Sequence, residues 1–180
     1  MRTFIAIDFE SATKKEIADY QDKIRSDCKR GNFTYKENLH LTMHFLGEID
    51  RLDADNVMDA LDETAAANRK FPMKFTSLGY FDRGENCILW LGIDKSKELV
   101  RLYETLEKNL GKQGFRRERA KFSPHITLAR EVVLIYNKKI VTEKLKPQFN
   151  QMFVNEISLM ESKREDGKLI YKKLYSAKLI

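Results

Sequence analysis

The sequence predicts a mixed α and β chain built from two similar halves, and three observations predict it. The composition is that of a folded protein: 180 residues, 42% apolar and 33% charged, richer in core-forming side chains than a disordered chain. Apolar runs of strand length alternate with segments whose apolar residues recur at helical spacing. Finally, two stretches echo each other. AIDFES, a helix and HLTM in the first half resemble GIDKSK, a helix and HITL in the second, with nearly equal offsets from Asp8 to His40 and from Asp94 to His125. The length suits one sizeable core and is short for two independent domains, so residues 1–180 are expected to form one domain of two intertwined lobes.

The elements follow in order. RTFIAIDF (2–9) is a short apolar run that reads as a strand. Ser11 can cap a helix over roughly 12–28, where Ile17, Tyr20 and Ile24 recur on one face. HLTMHFLGE (40–48) reads as a strand, and Asp53 can cap a helix from about 54 to 68. FPMKFTSLGYF (71–81) and NCILWLGID (86–94) read as strands joined by Asp82-Arg83-Gly84-Glu85. Ser96 starts a helix with Leu99, Leu102, Tyr103, Leu106 and Leu110 on one face, ended by Gly111 and Gly114. HITLAR (125–130) is a strand entered through Pro124, and a short helix near 137–146 stops before Pro147. The C-terminal segments MFVNEISLMES and KLIYKKLYSAKLI form a hairpin around Asp166-Gly167.

The net charge of +6 allows an anionic partner such as nucleic acid without requiring one. No run approaches the roughly 18 apolar residues of a membrane span, and the N-terminus lacks the pattern of a secretory signal. Cys28 and Cys87 fit no metal or redox spacing, which suits reduced thiols in the cytoplasm, with Cys87 in the core.

Chemistry concentrates on two strands. The chain has three histidines, and two of them open the same pattern: His40-Leu41-Thr42-Met43 and His125-Ile126-Thr127-Leu128. Side chains alternate along a strand, so each segment buries Leu/Met or Ile/Leu and presents an imidazole beside a hydroxyl on the other face. Taken singly, either motif reads equally well as a half-buried histidine beside a good strand former. If the two echoing halves face each other, the two pairs are expected to line one cleft.

Two imidazoles near neutral pH can sit in opposite protonation states, one giving a proton while the other takes one. Two hydroxyls can donate to the non-bridging oxygens of a phosphate. The set suits in-line cleavage of a phosphodiester without metal or cofactor, and the singly charged, strained 2′,3′-cyclic phosphate is an apt substrate. His44 continues the face of His40 and Thr42. On a strand it lies about 13 Å from His40 at ~3.3 Å per residue, too far to share an ion, so it is expected at the cleft rim.

These residues resemble the two-histidine phosphoesterase superfamily, in its branch of RNA 2′,3′-cyclic phosphodiesterases once described as 2′-5′ RNA ligases. RTFIAIDF is similar to that family's opening strand, NLHLTMHFLGEI to its first signature, FSPHITLAR to its second, and ISLMESK to its C-terminal hairpin. The resemblance implies a bilobal α+β fold, with an antiparallel sheet flanked by helices in each lobe and the cleft between the sheets. It implies hydrolysis of an RNA 2′,3′-cyclic end to a 2′-phosphomonoester. His40 would be the general acid, His125 the general base, and Thr42 and Thr127 the phosphate ligands. The sequence itself does not decide which imidazole plays which part.

Arg116, Arg117, Arg119 and Lys121 precede the second motif, and Lys29, Arg30 and Lys36 precede the first. Such clusters can steer RNA phosphates. Strict alternation turns Arg130 away from His125; a bulge would bring it round, and the resemblance favours a substrate-side role. Phe45 shares a face with Leu41 and Met43 and is expected in the core, while Phe9, at a strand end, is a candidate for base stacking. The expected partner is RNA or an oligonucleotide with a cyclic phosphate end, bound by a monomer with no membrane or obligate protein partner. The alternatives are a phosphodiesterase acting on 2′-5′ oligonucleotides or small cyclic nucleotides, and a non-catalytic module that binds RNA phosphates.

Overall fold

The computed structural model describes residues 1–180. In chain order its elements are β1 (Arg2–Asp8), α1 (Ser11–Arg25), β2 (Cys28–Phe33), a 3₁₀ turn (Lys36–Asn38), β3 (His40–Glu48), α2 (Arg51–Ala66), β4 (Phe71–Met73), β5 (Phe75–Arg83), β6 (Asn86–Ile93), α3 (Lys97–Lys112), β7 (His125–Leu134), α4 (Lys138–Lys144), β8 (Met152–Val154), β9 (Glu156–Glu165) and β10 (Lys168–Lys178). The strands form two four-stranded antiparallel sheets, ordered β10-β9-β1-β3 and β2-β7-β6-β5, and a small ribbon of β4 and β8. This is an α+β architecture with one histidine motif in each large sheet. No helix is long and apolar enough to cross a membrane.

The sheets are interleaved along the chain. β1 belongs to the first sheet, but the helix after it, α1, backs the second: Gln21 Nε2 donates to the carbonyls of Leu128 and Thr34. Helix α2 packs on β9 and β10 and also against α3. One continuous core of 37 buried residues joins both sheets. Cys87 lies in it, fully buried.

Local chemistry explains most boundaries. Ser96 caps α3, its side chain accepting from Leu99 N, and Gly114 follows the helix at φ +88°, a conformation that favours glycine. The β9–β10 hairpin turns through Asp166 and Gly167, both at positive φ, as the tight turn requires. Two caps differ from expectation. Helix α2 starts earlier: Asp50 is the N-cap and Asp53 is its capping-box partner three residues on. Helix α1 has Glu10 at the N-cap with no side-chain cap bond, and Ser11 is its first helical residue. The strand β2 was not expected at all.

The echo between the halves is real but not in perfect register. Asp8 lies directly across from His40, whereas His125 faces Gly92 and Asp94 lies beyond the end of β6.

Candidate active site

Bulges set the faces of both histidine strands. In the β1–β3 ladder the pairing steps from Ile5–His44 to Ala6–Thr42. In the β6–β7 ladder it steps from Leu89–Ala129 to Trp90–Thr127. Each step inserts an extra residue and reverses the alternation beyond it. Met43 and His44 are therefore both buried, as are Leu128 and Ala129, and the next residue in each strand emerges on the cleft side. That residue is Phe45 in β3 and Arg130 in β7.

The bulges correct two expectations. Phe45 is not core; it is 65% exposed and lines the cleft. His44 is not at the rim; it is buried, with Nδ1 2.5 Å from Glu107 Oε1 on α3. The bulge in β7 likewise brings Arg130 to the face of His125 and Thr127. Phe9 is a third correction. It is 5% exposed, packs in the main core near Phe75 and does not reach the cleft. Its backbone N–H instead donates to Asp8 Oδ1, which turns the chain into α1.

The cleft is a cavity of about 740 Å³, and His40, Thr42, His125, Thr127 and Arg130 all line it. The two imidazoles are held alike. His40 Nδ1 is 2.7 Å from the carbonyl of Asn38, and His125 Nδ1 is 2.7 Å from the carbonyl of Ser123. A carbonyl only accepts, so in each case Nδ1 carries the proton and Nε2 is left for chemistry. His40 Nε2 lies 2.9 Å from Thr42 Oγ1, whose hydroxyl donates to it while the ring is neutral. Aromatic walls fix the ring planes: Phe4 and Tyr171 flank His40, and Phe81 meets His125 edge-on. Burial holds the His40 imidazole below its ordinary pKa, against the opposing pull of the Asn38 carbonyl and Asp8.

Sequence reasoning missed Asn38. This buried side chain donates Nδ2–H to the carbonyl of Leu169 and accepts from Tyr171 N, clamping the turn before β3 onto β10. The backbone carbonyl of the same residue orients His40. The signal was faint: an asparagine two residues before a histidine. The basic clusters flanking the motifs do not enter the cavity, where the cations are Arg2, Arg130 and Arg164. Arg117, Arg119 and Lys121 line a separate cavity of about 430 Å³.

Comparison with known proteins places the chain among relatives of one family. Residues 9–166 match the model of the 2′-5′ RNA ligase superfamily. A relative from Thermotoga maritima named RNA 2′,3′-cyclic phosphodiesterase is 35% identical over 131 residues, 72% of this chain and 70% of its own length. One of the same name from Methanocaldococcus jannaschii is 30% identical over 167 residues, 90% and 91% of the two chains. The crystal structure of E. coli LigT complexed with 3′-AMP superposes with a TM-score of 0.81 at 25% identity, covering 99% of this chain and 97% of that one. A protein of Thermus thermophilus, TT0787, shares the fold, with a TM-score of 0.82 at 21% identity and 99% and 98% coverage. With its two histidine strands facing one cleft, the chain belongs to the 2′-5′ RNA ligase superfamily.

Proposed function

We infer that the protein hydrolyses RNA 2′,3′-cyclic phosphodiester ends to 2′-phosphomonoesters by paired-histidine acid–base catalysis. The observation that carries this reading is the matched pair of imidazoles, each with Nδ1 bonded to the carbonyl two residues earlier and each lining the one shared cavity. The names of the relatives from T. maritima and M. jannaschii support the same substrate. Residues 1–180 act as one unit in this reading, consistent with the single core beneath both sheets.

In the reaction, His125 Nε2 takes a proton from water, and the water oxygen attacks phosphorus. The P–O3′ bond breaks on the opposite side, and His40 Nε2–H gives its proton to the departing O3′. A P–O bond from water has formed, His40 is left neutral and His125 protonated, and exchange with solvent resets both. Thr42, Thr127 and Arg130 hold the non-bridging oxygens as charge gathers on them. Each proton transfer is worth about 10²–10⁴-fold in rate. The machinery is supplied by side chains, so the reaction requires no cofactor.

The test is product analysis. An oligonucleotide with a 2′,3′-cyclic end, incubated with the protein in excess chelator, should yield only the 2′-phosphomonoester by ³¹P NMR. A 3′-phosphate product would reverse the leaving group, and loss of turnover in chelator would revive a metal mechanism. Cleavage of 2′-5′ linkages alone would move the assignment to that substrate. Binding without turnover would make the protein an RNA-phosphate module.

A further inference from the structure

The cavity extends past the imidazoles, and its charge exceeds what one phosphate can match. None of its lining residues is Asp or Glu, while three are arginines: Arg2, Arg130 and Arg164. None of the three guanidinium groups enters an ion pair. Arg164 donates only to the carbonyl of Gly167 in the hairpin turn. Arg130 is accounted for beside Thr127, at the reacting phosphate. Arg2 and Arg164 are not.

Their positions follow from the ladders. Thr42 lies across from Ala6, and Arg2 is four residues away along β1, about 13 Å at ~3.3 Å per residue. Alternation puts Arg2 on the face of Phe4, the ring that walls His40. On β9, Arg164 shares the face of Ser162, which pairs with the cleft residue Tyr171, and Arg164 itself pairs with Leu169, another cleft residue. Between the histidines and these arginines lies Phe45, across from Phe4, its exposed ring 6.1 Å from Phe4's. An exposed aromatic between two cationic positions is the layout of a surface that tracks single-stranded nucleic acid.

We propose that Arg2 and Arg164 form a second phosphate subsite, which binds a backbone phosphate 5′ to the cyclic end and so makes an oligonucleotide, not a cyclic mononucleotide, the preferred substrate. The subsite rests on the activity inferred above and names its substrate class. A cyclic mononucleotide fills only the histidine end, leaving two guanidinium groups unmatched. A longer chain continues 5′ from the terminal ribose and carries its phosphates toward them. Each phosphate neutralised also releases counterions, so the subsite makes oligonucleotide turnover salt-sensitive.

The experiment compares kcat/KM for a cyclic-phosphate mononucleotide and for a trinucleotide with the same 3′ base, over a range of salt concentrations. Wild type should prefer the trinucleotide. The double variant R2A/R164A should lose that preference by about tenfold, the equivalent of one charge-assisted contact. The slope of log kcat/KM against log salt for the trinucleotide should flatten by about one. R2K/R164K should recover part of both. A wild type indifferent to length, or a double variant that loses equally on both substrates, would overturn the subsite. Should wild type hydrolyse neither substrate, the inferred activity fails. The subsite is then judged by equilibrium binding of a trinucleotide ending in a 2′-phosphate: tenfold weakening in R2A/R164A upholds it, and unchanged affinity rejects it.

Discussion

His44 on β3 and Glu107 on α3 are joined in the protein interior, Nδ1 to Oε1, with both side chains almost fully buried. The bond is one link of a closed ring. Glu107 Oε2 accepts from Glu118 N, Glu118 Oε1 accepts from Phe45 N, and Phe45 adjoins His44. Arg117 Nε stands 3.8 Å from Glu107. The ring laces the loop leading to His125 onto the strand that carries His40, which fixes the two histidine strands relative to each other.

Breaking that ring should cost stability first. Glu107→Ala strands the His44 ring nitrogen and the Glu118 N–H without partners, at about 1–3 kcal/mol each. Urea denaturation should show a lower midpoint with an unchanged slope. Glu107→Gln keeps an acceptor and should lose less. Equal stability of wild type and Glu107→Ala would remove the ring from the account.

Asn38 is expected to act through His40. Asn38→Ala releases the 3₁₀ turn from β10, and with it the carbonyl that holds His40 Nδ1–H. The rate should fall about tenfold or more, mostly in kcat, because misplacing a reacting group costs more in the transition state than in binding. Asn38→Asp keeps the acceptor for Tyr171 N and should recover part of the loss. A change confined to stability, with kcat intact, would contradict the positioning role.

The pH profile separates the roles of the two imidazoles. Burial places the His40 pKa below the ordinary histidine value of about 6.5. If His40 is the general acid, as proposed, it must be protonated to act. In kcat/KM, which reports the free enzyme, the alkaline limb should therefore begin to fall below pH 6.5. In kcat it should shift upward, because a phosphate anion beside the ring favours its charged form. If His40 were the base, its low pKa would appear on the acid limb instead. Folding should feel the same shift. The unfolded chain binds this proton more readily, so the contribution of His40 is whole above about pH 6.5 and is lost as pH falls through the folded value. His40→Gln should flatten stability over that window, measured by chemical denaturation.

The elements built on strong periodicity were legible in the sequence. Helix α3 shows its apolar face in Leu99, Leu102, Leu106 and Leu110, all buried, and Ser96 caps it as expected. The β9–β10 turn at Asp166-Gly167 was equally plain. Strand β2 was not, because Cys-Lys-Arg-Gly-Asn-Phe carries little apolar signal. It is an edge strand of the second sheet, where charged residues are the rule. The site was half legible. His40, Thr42, His125 and Thr127 stood out because two strands repeat one pattern. The fates of His44 and Phe45 turned on a single inserted residue, since an alternation argument fails for everything beyond a bulge. Phe9 failed for a different reason: at the end of a strand, alternation did not show that the chain turns inward.

The most direct measurement follows the imidazole resonances of His40 and His125 by NMR while a nucleoside 2′-monophosphate is titrated in. If both rings meet one phosphorus, both sets of signals shift together, with one dissociation constant and a stoichiometry of one. Shifts at one histidine alone, or at the two with different affinities, would mean that they serve separate pockets.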